Sequence, residues 1–195
     1  MSKAFSLSPR LLLLKSNLSR LNGSGPSEKA DAAVGLMLLE EGKDLETLLI
    51  HRSERHDDPW SGQMGLPGGR VKDSDPSIKS TLRREVMEEV GIDLAKTGEE
   101  LGALSIGQPM RRLDMKVQPW VYGLTQRPKV EIGPEVSSAF WVSIPNLSSR
   151  KTTSEVLIRD QRITVECFMI DEKVIWGYTY RVLTELLQLP GILAG

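Results

Sequence analysis

The sequence predicts an α+β fold, a mixed β-sheet with helices packed on it, from three observations. Two largely apolar runs, Ala32 to Leu39 and Glu46 to Arg52, flank the charged turn Glu40 to Asp44 and read as a strand pair. The segment Pro76 to Val90 carries Ile78, Leu82, Val86 and Val90 at intervals of four and stops at Gly91, as one face of a helix does. Strand-like and helix-like segments then fall at separate places instead of alternating as repeated βαβ units.

Taken in order, the chain opens with Lys3, Arg10, Lys15 and Arg20, several serines and no acid until Glu28, a composition shared with organelle transit peptides. The same stretch also places Leu11 to Leu14, Leu18 and Leu21 where a short helix would bury them on a core, and that helix is the reading adopted. Asn22 to Ser27 is rich in Gly, Ser and Pro, so residues 1–27 are read as an appendage with a linker and residues 28–195 as the main domain. Ser53 to Gly69 holds Pro59, Pro67 and glycines at 62, 65, 68 and 69 and must be a shaped loop. Strands are predicted at Leu104 to Gly107, Val117 to Thr125, Ala139 to Ser143 and Ile163 to Ile170. A terminal helix is predicted over Val174 to Leu189, stopped by Pro190 and Gly191.

A chain of 195 residues that is 39% hydrophobic and 26% charged can bury a core as one compact domain. Lys and Arg number 25 against 26 Asp and Glu, so the net charge of −1 gives no general attraction to nucleic acid. Cys167 is the single cysteine, which excludes an internal disulfide and a zinc site of paired cysteines and fits a reducing compartment. No apolar stretch approaches the ~20 residues that span a bilayer. The expected location is the cytoplasm, or a mitochondrion or other organelle if the first segment is a transit peptide. A small ligand is the expected partner, and a homodimer is compatible with the composition.

The chemistry concentrates in Gly68-Gly69-Arg70-Val71-Lys72-Asp73-Ser74-Asp75 and, further on, Arg84-Glu85-Val86-Met87-Glu88-Glu89-Val90-Gly91-Ile92. At about 100° per residue, Glu85, Glu88 and Glu89 share one arc beside the apolar stripe. Crowding like charges costs on the order of 4 kcal/mol per pair at ~4 Å in a medium of dielectric ~20, unless a cation or full solvation offsets it. Carboxylates without nearby histidine or thiolate favour Mg²⁺ or Mn²⁺ over zinc. Taken alone, the acidic arc is also what a solvated helix face looks like, and Pro67-Gly68-Gly69 alone is a common turn. Their order along the chain is what points to a site. Gly68 and Gly69 admit close ligand approach, and Arg70 and Lys72 add charge for phosphate oxygens.

These residues resemble the signature of the Nudix hydrolases, G-x5-E-x7-R-E-U-x-E-E-x-G-U with U aliphatic. The match runs from Arg84 to Ile92. Its front half departs: Asp75 stands six positions after Gly69 where the family has Glu, and one extra residue precedes Arg84. Leu48-Leu49-Ile50 followed by Arg52, Gly62-Gln63 followed by Leu66-Pro67-Gly68-Gly69, and Ile175-Trp176-Gly177 are similar to the coenzyme A diphosphatase branch. That branch has an arginine four residues before the glycine matched by Gly62, where this chain has Asp58, with Arg55 nearby but out of register.

The resemblance implies a Nudix fold, a mixed sheet sandwiched between helices, and Mg²⁺- or Mn²⁺-dependent hydrolysis of a diphosphate linkage in a nucleotide derivative such as coenzyme A. It implies metal ligands at Glu85, Glu88, Glu89 and Asp75, with Arg84 orienting the carboxylates. Glu135, in Gly133-Pro134-Glu135-Val136, is a candidate base, and Glu88 and Glu89 belong to the same catalytic group. Gly68, Gly69, Arg70, Arg52 and Arg55 are the candidate substrate contacts. Two other readings stand beside it: a nucleoside diphosphate-sugar or ADP-ribose diphosphatase, and a Nudix-fold module that binds a nucleotide without cutting it. His51 and His56 suggest no histidine mechanism, Trp60 reads as packing or as a stacking platform, and Cys167 reads as a buried thiol.

Overall fold

The computed structural model describes residues 6–21, 29–56, 60–158 and 161–193. The linker Asn22 to Ser27, the boundary at Glu28 and Asp58 lie outside those residues. The first two apolar runs form β1 (Ala32–Glu41) and β2 (Asp44–Arg52), antiparallel with Leu38 opposite Thr47. The helix read from the four-residue spacing is α2 (Ile78–Val90), and α1 (Pro9–Leu21) precedes β1.

β1 is the centre of a seven-stranded sheet. Along one edge it runs parallel to β6 (Val117–Leu124), with Ala32 beside Val117 and Leu39 beside Leu124. Its other edge is divided: Leu38 to Glu41 pair with β2, whereas Ala32 to Val34 pair with β4 (Gly68–Arg70). β2 in turn receives β3 (Met64–Gly65) at Ile50 and His51, and β7 (Val136–Ser143) on its far side. The shaped loop thus fills a fork that opens where β1 and β2 part. β5 (Gly98–Ala103) completes the sheet against β6.

Both faces of β1 are covered, which is why it reads as a continuous apolar run instead of an alternating one. Leu36 and Leu38 point to one core with Leu11, Leu14 and Leu18 of α1, and with Leu147 of α4 (Ile144–Ser149) and Leu183 of α5 (Gly177–Leu187). Ala33, Met37 and Leu39 point to the other, where Leu82, Val86 and Val90 of α2 and Leu94 of α3 (Leu94–Thr97) pack around Trp120. A second sheet, β8 (Lys151–Ile158), β9 (Gln161–Ile170) and β10 (Lys173–Trp176), contributes Phe168 and Ile175 to the α5 side. Cys167 is buried in β9, and burial raises its thiol pKa.

Leu14 is fully buried, so α1 is part of this core. Leu14→Ala is expected to cost about 2–5 kcal/mol, read as a fall in Tm of roughly 2–4 °C per kcal/mol. A Tm within a degree of the parent would show that α1 contributes no packing.

Two predicted elements need correction. The strand expected at Leu104 to Gly107 lies earlier, at Gly98–Ala103, because β5 is an edge strand whose glutamates stay partly exposed and disguise its alternation. Only an isolated bridge joins Gly107 to Val117. The terminal helix begins at Gly177 instead of Val174, since Val174 and Ile175 pair with Met169 and Phe168 as β10. β8, mostly exposed on its outer face, was not anticipated.

Candidate active site

α2 is fixed at both ends. Ser77 caps it by accepting from the Ser80 N–H, and Gly91, at φ 69°, closes it in the left-handed conformation. The loop before β7 satisfies the last carbonyls, Glu131 N–H donating to Val90 O at 3.0 Å and Gly133 N–H to Glu89 O at 2.9 Å. Those two bonds carry Glu135 to the same end of the molecule as the α2 carboxylates.

Arg84 is the hub of the carboxylate group. Its Nε and Nη2 donate to Asp75 Oδ1 and Oδ2 at 2.9 and 2.8 Å, and Nη1 donates to Glu85 Oε1 at 2.6 Å and Glu88 Oε2 at 3.1 Å. Nη2 also donates to Arg70 O at 3.1 Å, tying α2 to the glycine loop. Asp75 accepts further bonds from Thr81 Oγ1 and Lys72 N–H. The Arg84 guanidinium holds the Asp75 carboxyl well below the usual carboxylate range, and Asp75 raises Arg84 in return.

Asp75, expected as a metal ligand, is turned to Arg84 in this structure. Both its oxygens are committed to protein donors, and it is absent from the cavity lining described below. The extra residue before Arg84 and the shorter acid are absorbed here, because Asp75 still meets the guanidinium through two parallel bonds.

Glu89 is the most buried carboxylate among the described residues, with only 3% of its side chain exposed. Oε2 accepts from Gly68 N–H at 2.8 Å and Oε1 from Arg52 Nη1 at 3.2 Å. Arg52 stands at a register shift between β2 and β7, where the pairing steps from His51–Ser138 to Arg52–Val136 and leaves Ser137 as the extra residue. Burial outweighs both partners and pushes the Glu89 pKa up to about 7. Ionising it in the folded protein therefore costs about 3 kcal/mol more than in the unfolded chain. The folded pKa lies above the unfolded one, so in EDTA stability should fall as pH rises from about 4.5 to 7. Glu89→Gln should flatten that part of the Tm–pH curve, and an unchanged slope would contradict the assignment.

Glu135 sits across from α2, its Oε1 accepting from Arg55 Nη1 at 3.0 Å and its Oε2 lying 3.8 Å from Arg52 Nη2. Glu85, Glu88, Glu89, Glu135, Arg52, Gly68, Gly69 and Arg70 all line one cavity of about 390 Å³. Arg55, expected as a substrate contact, is not among its lining residues and reaches the site through Glu135. His51 is occupied, its Nε2 3.0 Å from Gly62 O and its Nδ1 2.9 Å from Ser137 Oγ.

The donor set fits a hard divalent ion: oxygen ligands only, one of them desolvated and costly to ionise without a cation. Among the described residues no three such side chains are arranged around one point, because Glu85 and Glu88 are turned to Arg84 and Glu89 to Arg52. Glu88, about half exposed, has room to turn.

Sequence reasoning missed the other half of the cavity. Met64, Met110, Met115 and Tyr178 line it together with Trp60 and Trp176. They come from three separate stretches, 60–64, 110–115 and 176–178, and no local pattern announces such a convergence.

The sequence matches the NUDIX domain over residues 29–160. The chain belongs to the Nudix family. Nudix enzymes are hydrolases acting on pyrophosphate bonds and generally use divalent ions such as Mg²⁺. An uncharacterised protein of Schizosaccharomyces pombe is 38% identical over 101 residues, which are 44% of this chain and 30% of that relative, so the match spans under a third of its length. A MutT/nudix family protein from Enterococcus faecalis shares the fold with a TM-score of 0.51 at 17% identity, over 90% of this chain and 70% of that one. The NUDIX domain of Shewanella oneidensis NrtR complexed with ADP ribose gives a TM-score of 0.48 at 21% identity, over 67% and 85%. No helix among the described residues is long and apolar enough to cross a membrane.

Proposed function

We propose that this Nudix chain hydrolyses a diphosphate linkage in a nucleotide derivative with Mg²⁺ or Mn²⁺, and that coenzyme A and its derivatives are the preferred substrates. The observation that carries the hydrolytic reading is the meeting of Glu85, Glu88 and Glu89 with Gly68, Gly69, Arg52 and Arg70 in one cavity. The coenzyme A preference is supported by where the similar stretches lie. Arg52, Gln63, Leu66, Gly68, Trp176 and Gly177, far apart in sequence, all line that cavity.

Glu85, Glu88 and Glu89 would hold the ion, which when bound neutralises diphosphate oxygens and acidifies a water. Arg84, anchored by Asp75, keeps Glu85 and Glu88 oriented and is a positioning residue. Gly68 and Gly69 leave room for β1 and for the Glu85 carboxylate beside the diphosphate, and Arg70 and Arg52 face its charge. Glu135 lines the cavity outside the α2 group and takes the proton of the attacking water. Glu135→Gln is expected to lower kcat by about 10²–10⁴ while the metal concentration giving half-maximal rate stays put. A shift in that concentration would make Glu135 a ligand.

Product masses after incubation in ¹⁸O-water with coenzyme A, ADP-ribose, nucleotide-sugars and dinucleoside polyphosphates test the reading. Coenzyme A should yield adenosine 3′,5′-bisphosphate and 4′-phosphopantetheine faster than the others react. Comparable rates on all would remove the preference, and a faster ADP-ribose or nucleotide-sugar reaction would replace it. Thermal stabilisation by a nucleotide without products would indicate a binding module.

A further inference from the structure

We propose that β8 is a self-pairing edge, through which two copies of this chain join antiparallel about a two-fold axis at Thr153. The three-stranded sheets of the two copies then become one continuous sheet. This association is independent of the chemistry of the cavity.

The direction of the free backbone groups follows from the pairing of β8 with β9. The register runs unbroken from Lys151 opposite Phe168 to Ile158 opposite Gln161. It continues to Arg150, whose carbonyl accepts from Met169 N–H at 3.0 Å. Hydrogen-bonded pairs alternate along an antiparallel ladder. Arg150, Thr152, Ser154 and Val156 therefore turn their backbone groups to β9, and Lys151, Thr153, Glu155 and Leu157 turn theirs outward. Leu157 follows this alternation, since its carbonyl accepts from Arg111 Nη2 at 3.1 Å. The sheet order β10-β9-β8 leaves that side of β8 without a partner strand.

Edges are ordinarily blunted by brevity, a proline, a bulge or charged side chains. β8 is eight residues long and has no proline and no register shift. Its charges are opposite in sign and four positions apart, which suits a second copy instead of repelling it. Antiparallel pairing about Thr153 sets Lys151 opposite Glu155 of the second copy, Thr152 opposite Ser154, and Thr153 opposite Thr153. The two-fold axis repeats the first two pairs. Opposite charges and paired hydroxyls are favourable cross-strand neighbours. Both charges are loosely held within one copy: Lys151 Nζ lies 3.5 Å from Glu166 and Glu155 lies 3.6 Å from Arg162, all four side chains at least half exposed.

Other registers fail on the same residues. Sliding the pairing toward Leu157 needs the carbonyl that Arg111 occupies. Sliding it the other way sets Glu155 opposite Ser149, the end of α4, and leaves Lys151 without an acid.

Sedimentation equilibrium over a concentration series tests this. The parent should rise from 21.7 kDa toward twice that mass, and because the paired segment is short the rise is expected at high concentration. Lys151→Glu and Glu155→Lys each oppose like charges twice, and each should raise the dissociation constant roughly tenfold. Mixed in equal amounts, the two variants should associate like the parent, because the reversed charges then meet across the axis. Thr153→Pro removes an outward N–H and spares the pairing with β9, so it should abolish the dimer with Tm unchanged. If Thr153→Pro lowers Tm, the mixture of charge variants decides. A parent still monomeric at about 1 mM overturns the proposal. So does a dimer that the single charge reversals leave unmoved, or a mixture that fails to recover association.

Discussion

Turnover of the preferred nucleotide is expected to drop by about 10³ or more in a protein carrying Glu88→Gln and Glu89→Gln, with the fold retained. The two carboxylates differ in surroundings, Glu88 half exposed and Glu89 buried against Gly68 N–H, but both end on the α2 face that lines the cavity. Glutamine keeps their size and removes the charge that would hold a divalent ion, a contribution of several kcal/mol to the transition state. Metal titration of the rate together with a melting curve measures this. Unchanged turnover and metal response in a folded sample would sink the proposed chemistry.

The second large effect is structural. Gly68 has φ 148°, and a Cβ there would press into Ala33 O and stand 2.7 Å from the Val34 Cα. Neither neighbour can yield, since both belong to β1 where it pairs with β4. Backbone strain and overpacking each cost about 1–3 kcal/mol, so Gly68→Ala should destabilise by roughly 3–5 kcal/mol and lower Tm by about 10 °C. The same change displaces the N–H that Glu89 accepts from, so activity should fall as well. A Tm near that of the parent would mean that β4 is not seated on β1 as described.

Most of the local frame was legible in the residues. The four-residue spacing of Ile78, Leu82, Val86 and Val90 can only face one core, and Gly91 stops the helix where it was read. β1 and β2 were legible because apolar runs around a charged turn have few other solutions. β5 and β8 were not, because Glu99, Glu100 and two glycines break up the apolar positions of β5, and no residue of β8 is fully buried. The carboxylate group was legible from helical periodicity, yet what each acid touches was not. That Asp75 serves Arg84, and that Arg55 reaches Glu135 and not the cavity, depends on tertiary placement. The apolar part of the cavity lining was hidden for the same reason, since Met64, Met110 and Trp176 lie far apart in the chain and are brought to one cavity only by the fold.

The divided edge of β1 has a mechanical corollary. The glycine segment that lines the cavity is stitched to the central strand β1 at Ala32 to Val34, and Gly35 N–H continues the seam to Pro67 O at 2.8 Å. Prising that segment outward would mean unzipping the hydrophobic interior itself. Its amides should consequently exchange with solvent only when the whole domain unravels. Whatever breathing admits a substrate is left to the surrounding loops, while this wall of the cavity stays as stiff as the protein's spine.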